Sequence, residues 1–169
     1  MRAVTSKERL DGLFRGTLCP LTLADLNELW LLDLAVFTDG EAYERETFRH
    51  LLSNPRCVGR QVRLSGDEMV GFAIGLVEDG GIGHITTIGV GRDCRRRNLA
   101  RIMLLSLEQA FAVKGVTTVR LEVRTDNVAA KELYQQLGYV VTQRMKRYYS
   151  TGDDGFLMVK AIENSSQGF

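Results

Sequence analysis

Proline and cysteine are scarce in this sequence, and neither sign of charge dominates. Its 169 residues include two prolines and three cysteines, and the formal net charge is +1, from 22 Lys and Arg against 21 Asp and Glu. So few prolines leave few forced chain breaks. The cysteines (Cys19, Cys57 and Cys94) are odd in number and widely spaced, with no Cys-x-x-Cys pair and no Cys/His cluster. That argues against a disulfide framework and against any metal site, and it points to a reducing, cytoplasmic setting. Balanced charge provides no overall field to hold nucleic acid or a membrane surface, so an anion site has to be local. No apolar run approaches the ~18 residues of a membrane span; the longest, Leu29 to Phe37, is interrupted by Asp33. The opening MRAVTSKERLDGLF lacks the apolar core of a signal peptide.

The length suits one domain, since domains run roughly 100–200 residues. Residues 1–13 are polar and read as a loose segment, 14–162 as the domain, and 163–169 as a tail. Phe14 to Leu21 reads as a first strand. Thr22 is a candidate N-cap with Asp25 three residues on, ahead of the helically spaced Leu23, Leu26, Leu29, Trp30 and Leu34. Thr38-Asp39-Gly40 ends that helix, and a second runs from Glu44 to Leu52. Strands are expected over 57–64, 69–77 and 82–90, then a helix over 98–113 closed by Lys114-Gly115. Residues 118–124 alternate strictly, Asp126-Asn127 opens another helix ending at Leu137-Gly138, and 139–149 with 156–162 form a final hairpin. The order β-α-α-β-β-β-α-β-α-β-β predicts a mixed α/β sheet, antiparallel in its first half, with parallel crossovers later.

Three segments carry chemistry. In GVGRDCRRRNLARIMLL, residues 89–105, a strand runs into a helix through Arg92, Arg95, Arg96 and Arg97. Cations there oppose the helix dipole. The run is either a solvated basic turn or the seat of an anion held by helix N–H groups and guanidiniums. In LEVR, residues 121–124, Val119, Leu121 and Val123 point to one face and Arg120, Glu122 and Arg124 to the other. A glutamate inside a crossover strand is unusual; it is either a chemical group or an ion-pair partner on a wet surface. In DNVAAKELYQQLGY, residues 126–139, Asn127 is a candidate N-cap, and Tyr134 lies one step off the stripe Ala130, Leu133, Leu137. His50 and His84 are isolated in sequence and are assigned structural roles.

In this order the segments resemble the GNAT superfamily of acyl-CoA-dependent N-acyltransferases, over about residues 14–162. The family motif Arg/Gln-x-x-Gly-x-Gly/Ala corresponds to Arg95-Arg96-Arg97-Asn98-Leu99-Ala100, after the strand His84-Ile85-Thr86-Thr87-Ile88-Gly89-Val90. Leu121-Glu122-Val123-Arg124, Asp126-Asn127, Leu133-Tyr134, Leu137-Gly138-Tyr139 and Arg147-Tyr148-Tyr149 resemble the ribosomal-protein alanine N-acetyltransferases and related protein N-terminal acetyltransferases. Asn98 departs from the motif glycine, though Asn is the next residue to tolerate left-handed backbone.

The resemblance implies a single mixed sheet with helices on both faces and acetyl-CoA as cofactor. The turn Arg95, Arg96, Arg97, Asn98, Leu99, Ala100 and Arg101 would cradle its pyrophosphate. Ile88, Gly89 and Val90 would bind the pantetheine, with Asn127 at the same arm or fixing the mouth of its helix. Glu122 would be the general base, and Tyr134, beside the cofactor, the acid for the departing thiolate. Phe37, Glu41, Tyr43, Tyr148 and Tyr149 would flank the acceptor. The implied reaction is acetylation of a protein or peptide N-terminal α-amine by direct attack on the thioester, by a monomer or homodimer. Three alternatives remain: a polyamine or antibiotic acetyltransferase, a non-catalytic acyl-CoA sensor suggested by Asn98, and a nucleic-acid binder using the arginine turn. Near-zero net charge and confinement of the arginines to one turn argue against the last.

Overall fold

The computed structural model describes residues 8–10 and 15–163. The elements are β1 (Glu8–Leu10), β2 (Gly16–Pro20), α1 (Leu26–Val36), α2 (Arg45–Ser53), β3 (Cys57–Leu64), β4 (Met69–Glu78), β5 (Ile82–Val90), α3 (Leu99–Val113), β6 (Thr118–Arg124), α4 (Val128–Gln136), β7 (Val140–Met145) and β8 (Gly155–Ala161). Short 3-10 turns precede α1 at Leu23–Asp25 and α3 at Arg92–Cys94. From Gly16 onward the expected element order holds. The segment read as loose, 1–13, contains the strand β1; its other residues, Phe14 and 164–169 of the tail lie outside the described residues.

All eight strands form one sheet in the order β1-β2-β3-β4-β5-β6-β8-β7. The pairs are antiparallel except β5 with β6. The expected parallel crossovers are β5–α3–β6 and β6–α4–β7; the first joins neighbouring strands, and in the second β8 returns by its hairpin to lie between β6 and β7. On β4, Gly71, Ala73 and Gly75 face α3, while Phe72 and Ile74 face α1 and α2. Helices therefore cover both faces. Close approach sets one residue choice: a Cβ on Gly83 would lie 2.8 Å from the Phe111 ring of α3. α4 joins the α3 side through Tyr134 and Leu137.

Two local expectations are corrected. Thr22 and Asp25 do form a capping box, with Thr22 N donating to Asp25 Oδ2 at 2.8 Å, but it caps the 3-10 turn. α1 begins only at Leu26, so its buried face runs through Leu26, Leu29 and Asp33, with Trp30 half-buried and Leu23 and Leu34 exposed. The last hairpin is also shorter than expected. Arg147 adopts a left-handed φ of 51° and donates its N–H to Asp154 Oδ1 at 2.9 Å. The chain leaves the strand there, and Tyr148 and Tyr149 fall in a turn instead of in β7.

Candidate active site

The site begins where two parallel strands part. β5 and β6 pair at Ile82 with Thr118, Gly83 with Val119 and His84 with Arg120; no pairing follows, although both strands continue. β5 carries a bulge just there, since Ile74 faces Thr87 and Gly75 faces Ile85, making Thr86 the extra residue. A bulge bends its strand and re-aims side chains. The strands splay, and two cavities occupy the wedge. The smaller, about 390 Å³, lies between the end of β5, the start of α3 and α4. The larger, about 530 Å³, lies below the α1–α2 loop and the turn after β7. They abut, sharing Ile88, Asn127 and Tyr134 as lining residues.

The smaller cavity is a backbone construction. Arg95 is extended at φ −71°, Arg96 is left-handed at φ 64°, and Asn98 is left-handed at φ 60° and ψ 20°. A turn of this kind can gather main-chain N–H groups into a concavity that suits an anion. Asn98 thus sits in the left-handed region that glycine favours, as its tolerance of that region predicts. Among the described residues the Asn98 side chain makes no cap on α3, and the first N–H groups of a helix have no partner within it. Of the residues expected at a cofactor, Gly89, Val90, Arg95, Arg96, Asn98, Leu99, Ala100 and Arg101 line this cavity, with Ile88, Asn127 and Tyr134 at the junction. Arg97 lines neither cavity. Asn127 caps α4, its Oδ1 accepting from the N–H of Ala130 at 3.2 Å.

The larger cavity is built from side chains. All of Phe37, Glu41, Tyr43, Tyr148 and Tyr149 line it, with Glu122 and Arg124. α1 and α2 cover β3 to β5 on this face, so the polar face of β6 opens into the cavity instead of meeting a helix. That accounts for a glutamate in a crossover strand. Glu122 Oε2 lies 2.7 Å from Nε2 of His84, and its Oε1 accepts from Arg120 at 2.8 Å. Arg120 also donates to Glu78 at 2.7 Å, and Nδ1 of His84 is 3.5 Å from Glu78. Burial alone would raise the Glu122 carboxyl, but the His84 hydrogen bond and the charges of His84 and Arg120 outweigh it, holding the carboxyl below its ordinary value. Glu122 is thus an ionised acceptor with a constrained geometry.

Across the junction stands Tyr134, 7% exposed, whose hydroxyl makes no hydrogen bond among the described residues. Burial pushes its phenol up to about 12, so it keeps its proton at any physiological pH. Tyr139 packs edge-on behind it at 6.0 Å and is held by Glu108 at 2.9 Å, itself gripped by Lys160.

Arg124 ties the two walls of the larger cavity together. It bonds Glu41 of the α1–α2 loop, Asp153 at 3.1 Å and Thr151 at 3.0 Å, and stacks over the Tyr149 ring at 5.2 Å. Glu41, expected to flank the acceptor, is therefore already paired. His84 is a correction: isolated in sequence, it is brought onto Glu122 by the parallel register of β5 and β6. Strand parity put Arg120 and Arg124 on the face of Glu122, but their further partners come from elsewhere in the chain: Glu78 of β4 for Arg120, and Glu41, Thr151 and Asp153 outside the strands for Arg124. Among the described residues no cluster of three or more His, Cys, Asp or Glu side chains could hold a metal ion, and no helix is long and apolar enough to cross a membrane.

Comparison with known proteins agrees with this geometry. The family described as Acetyltransferase (GNAT) family matches residues 23–139, more than half of the chain. Over 101 residues the chain is 36% identical to the catalytic subunit of the N-terminal acetyltransferase B complex of Arabidopsis thaliana, covering 57% of this chain and 58% of that protein. It is also 36% identical over 101 residues to the ribosomal protein bS18 alanine N-acetyltransferase of Salmonella typhimurium, covering 57% and 66%. The matched segment spans about three fifths of the length of the first such relatives. Among solved structures, the ribosomal-protein-S18-alanine N-acetyltransferase of Escherichia coli superposes with a TM-score of 0.80 at 27% identity, over 91% of this chain and 98% of that one.

Proposed function

Because the chain belongs to the acetyltransferase (GNAT) family, we propose that it transfers the acetyl group of acetyl-CoA to the α-amine of a protein or peptide N-terminus. The observation that carries this reading is the arrangement at the junction: an ionised carboxylate on the side of the larger cavity, and a neutral phenol, without a hydrogen-bond partner among the described residues, shared by both cavities.

The smaller cavity fits the cofactor on its own chemistry. The main-chain N–H groups of the Arg96–Asn98 turn, the start of α3 and the side chains of Arg95 and Arg101 would hold a pyrophosphate. The edge of β5 around Ile88 and Val90, unpaired beyond His84, would hold an amide-bearing arm. When bound, acetyl-CoA supplies the thioester carbonyl that the amine attacks.

The residues of the chain then manage position and protons. A terminal α-amine has a pKa near ~8, so a fraction is neutral at pH 7. Orienting it against its partner can supply roughly 7–11 kcal/mol of the barrier; the walls Phe37, Tyr43, Tyr148 and Tyr149 do that work here. Glu122 takes the proton that the nitrogen sheds as its bond to carbon forms, directly or through one water. His84 and Arg120 orient that carboxylate. Tyr134 holds a proton at Oη for the departing sulfur, and the burial that raises its own pKa raises that of a thiolate beside it. A cytoplasmic setting and a monomeric or homodimeric state belong to the same proposal.

The test is single-turnover transfer from acetyl-CoA to short peptides with free or blocked N-termini, beside spermine and an aminoglycoside. Transfer confined to free peptide N-termini is expected. Transfer confined to the small amines would replace this reading with a small-amine acetyltransferase, and acetyl-CoA binding without any transfer would favour a sensor.

A further inference from the structure

One buried ionisable group stands apart from the proton chemistry. Asp33 occupies the middle of the apolar face of α1 and is 1% exposed. A carboxylate there is costly unless its oxygens are bonded. One of them, Oδ1, has no hydrogen-bond partner among the described residues. The other, Oδ2, accepts the backbone N–H of Tyr43, ten residues along the chain, at 2.7 Å. The backbone oxygen of Asp33 accepts the N–H of Phe37 at 2.9 Å. The side chain of Asp33 thus holds the far end of the loop between α1 and α2, whose near end is closed by the ordinary main-chain bond that ends α1.

What that loop carries gives the arrangement its meaning. It supplies Phe37, Glu41 and Tyr43 to the larger cavity. Tyr43 is further fixed by its hydroxyl, which donates to the carbonyl of Thr86 on the β5 bulge at 3.1 Å, and by its ring, 5.4 Å from that of Phe48. The bulge that opens the wedge and the loop that walls it are therefore joined through Tyr43, and Tyr43 is hung from Asp33. Burial pushes the Asp33 carboxyl up to about 6, so at neutral pH the fold keeps a charge in a site that disfavours it. Structures accept such local costs where a site's shape depends on them.

We propose that Asp33 is a positioning residue for the acceptor: a buried carboxylate that clasps the 37–44 loop and so sets affinity for the incoming N-terminus without touching it. This rests on the reading of the larger cavity as the acceptor site.

The experiment compares wild type with Asp33→Leu, which removes the acceptor oxygens, and Asp33→Asn, which keeps one. Two readouts are taken: KM for peptide and for acetyl-CoA separately, and hydrogen exchange at the Tyr43 amide. Asp33→Leu should raise the peptide KM about tenfold or more, the usual size of a lost hydrogen bond to a charged group. It should leave the acetyl-CoA KM within about twofold and abolish protection of the Tyr43 amide, while Asp33→Asn restores both readouts. Leu29→Ala, equally buried in α1, is the control for destabilisation alone. If Asp33→Leu leaves the peptide KM and the exchange unchanged, the clasp is wrong. If it moves both KM values together, as Leu29→Ala does, Asp33 is only part of the core. Should the wild type acetylate no peptide, the acceptor reading fails, and the exchange measurement still judges the clasp: protection kept in Asp33→Leu overturns it. Asp33→Ala gives the same readouts if the leucine variant does not fold.

Discussion

The two cavities abut and share three lining residues, yet they are made in different ways. The smaller is mostly assembled from one continuous stretch, the end of β5 through the first turn of α3, and on the proposed reading its working groups are main-chain N–H donors. The larger takes its walls from the α1–α2 loop, β5, β6 and the turn after β7, held in register by ion pairs and hydrogen bonds of Arg124, Asp33 and Tyr43. A backbone cradle tolerates many side chains provided the dihedrals survive. A side-chain cleft changes character with any one of its ties. Binding of a constant cofactor suits the first kind of construction, and discrimination among acceptors suits the second.

Substitutions can break this division or sharpen it. The largest effect is expected from Glu122→Gln, which should cut turnover on the order of 10²–10⁴-fold, the usual range for a lost general base. Acetyl-CoA affinity by calorimetry should stay within about twofold, because Glu122 lines only the larger cavity. Wild-type turnover would remove Glu122 from the proton path. Tyr134→Phe should lower kcat by about 10²-fold with little change in melting temperature, since the lost hydroxyl has no partner among the described residues. A large loss of stability with full activity would return Tyr134 to the core.

Asp33 tests the cost of the cleft. Its carboxyl is raised from its ordinary value to about 6, so the native state binds its proton more tightly than the unfolded chain does. Stability therefore falls as pH rises through about 4 to 6. Asp33→Asn should remove that slope, melting higher than wild type at pH 7 by on the order of 2 kcal/mol, with the gap closing toward pH 4 in a calorimetric series. Parallel wild-type and variant curves would contradict a buried charge. Arg124→Ala should unfasten the cleft walls, raising peptide KM roughly tenfold for a lost charged hydrogen-bond set while the cradle keeps its cofactor affinity; an equal loss of both affinities would erase the division. The smallest effect belongs to Asn98. Asn98→Ala should cost about 1 kcal/mol of stability at a left-handed position, and Asn98→Gly almost none, as a urea melt would register.

The same contrast explains what the sequence disclosed. Residues 89–101 and 118–139 place their groups by local geometry: strand parity sets Glu122 opposite Leu121 and Val123, and an N-cap marks Asn127. Those positions were readable, as were most strand and helix limits. His84 was not, because its partner lies 38 residues away across a parallel register that no local pattern encodes. Asp33 was visible only as an interruption in an apolar run. Its burial depends on α1 beginning at Leu26, after the 3-10 turn has shifted the phase of the face. Tyr148 and Tyr149 were expected at the cavity, but the left-handed Arg147 that turns them out of the strand is set by Asp154.

The junction of Ile88, Asn127 and Tyr134 has a kinetic consequence. The cavities have different lining sets that share only those three residues, so on the proposed reading each reactant has its own side of the site. A bulky acceptor can stay docked while spent coenzyme leaves from the other side. Neither reactant has to depart before the second arrives, and transfer proceeds within a complex of three parties. Initial rates with both substrates varied should give intersecting double-reciprocal lines, and parallel lines would mean that the traffic is taken in turns.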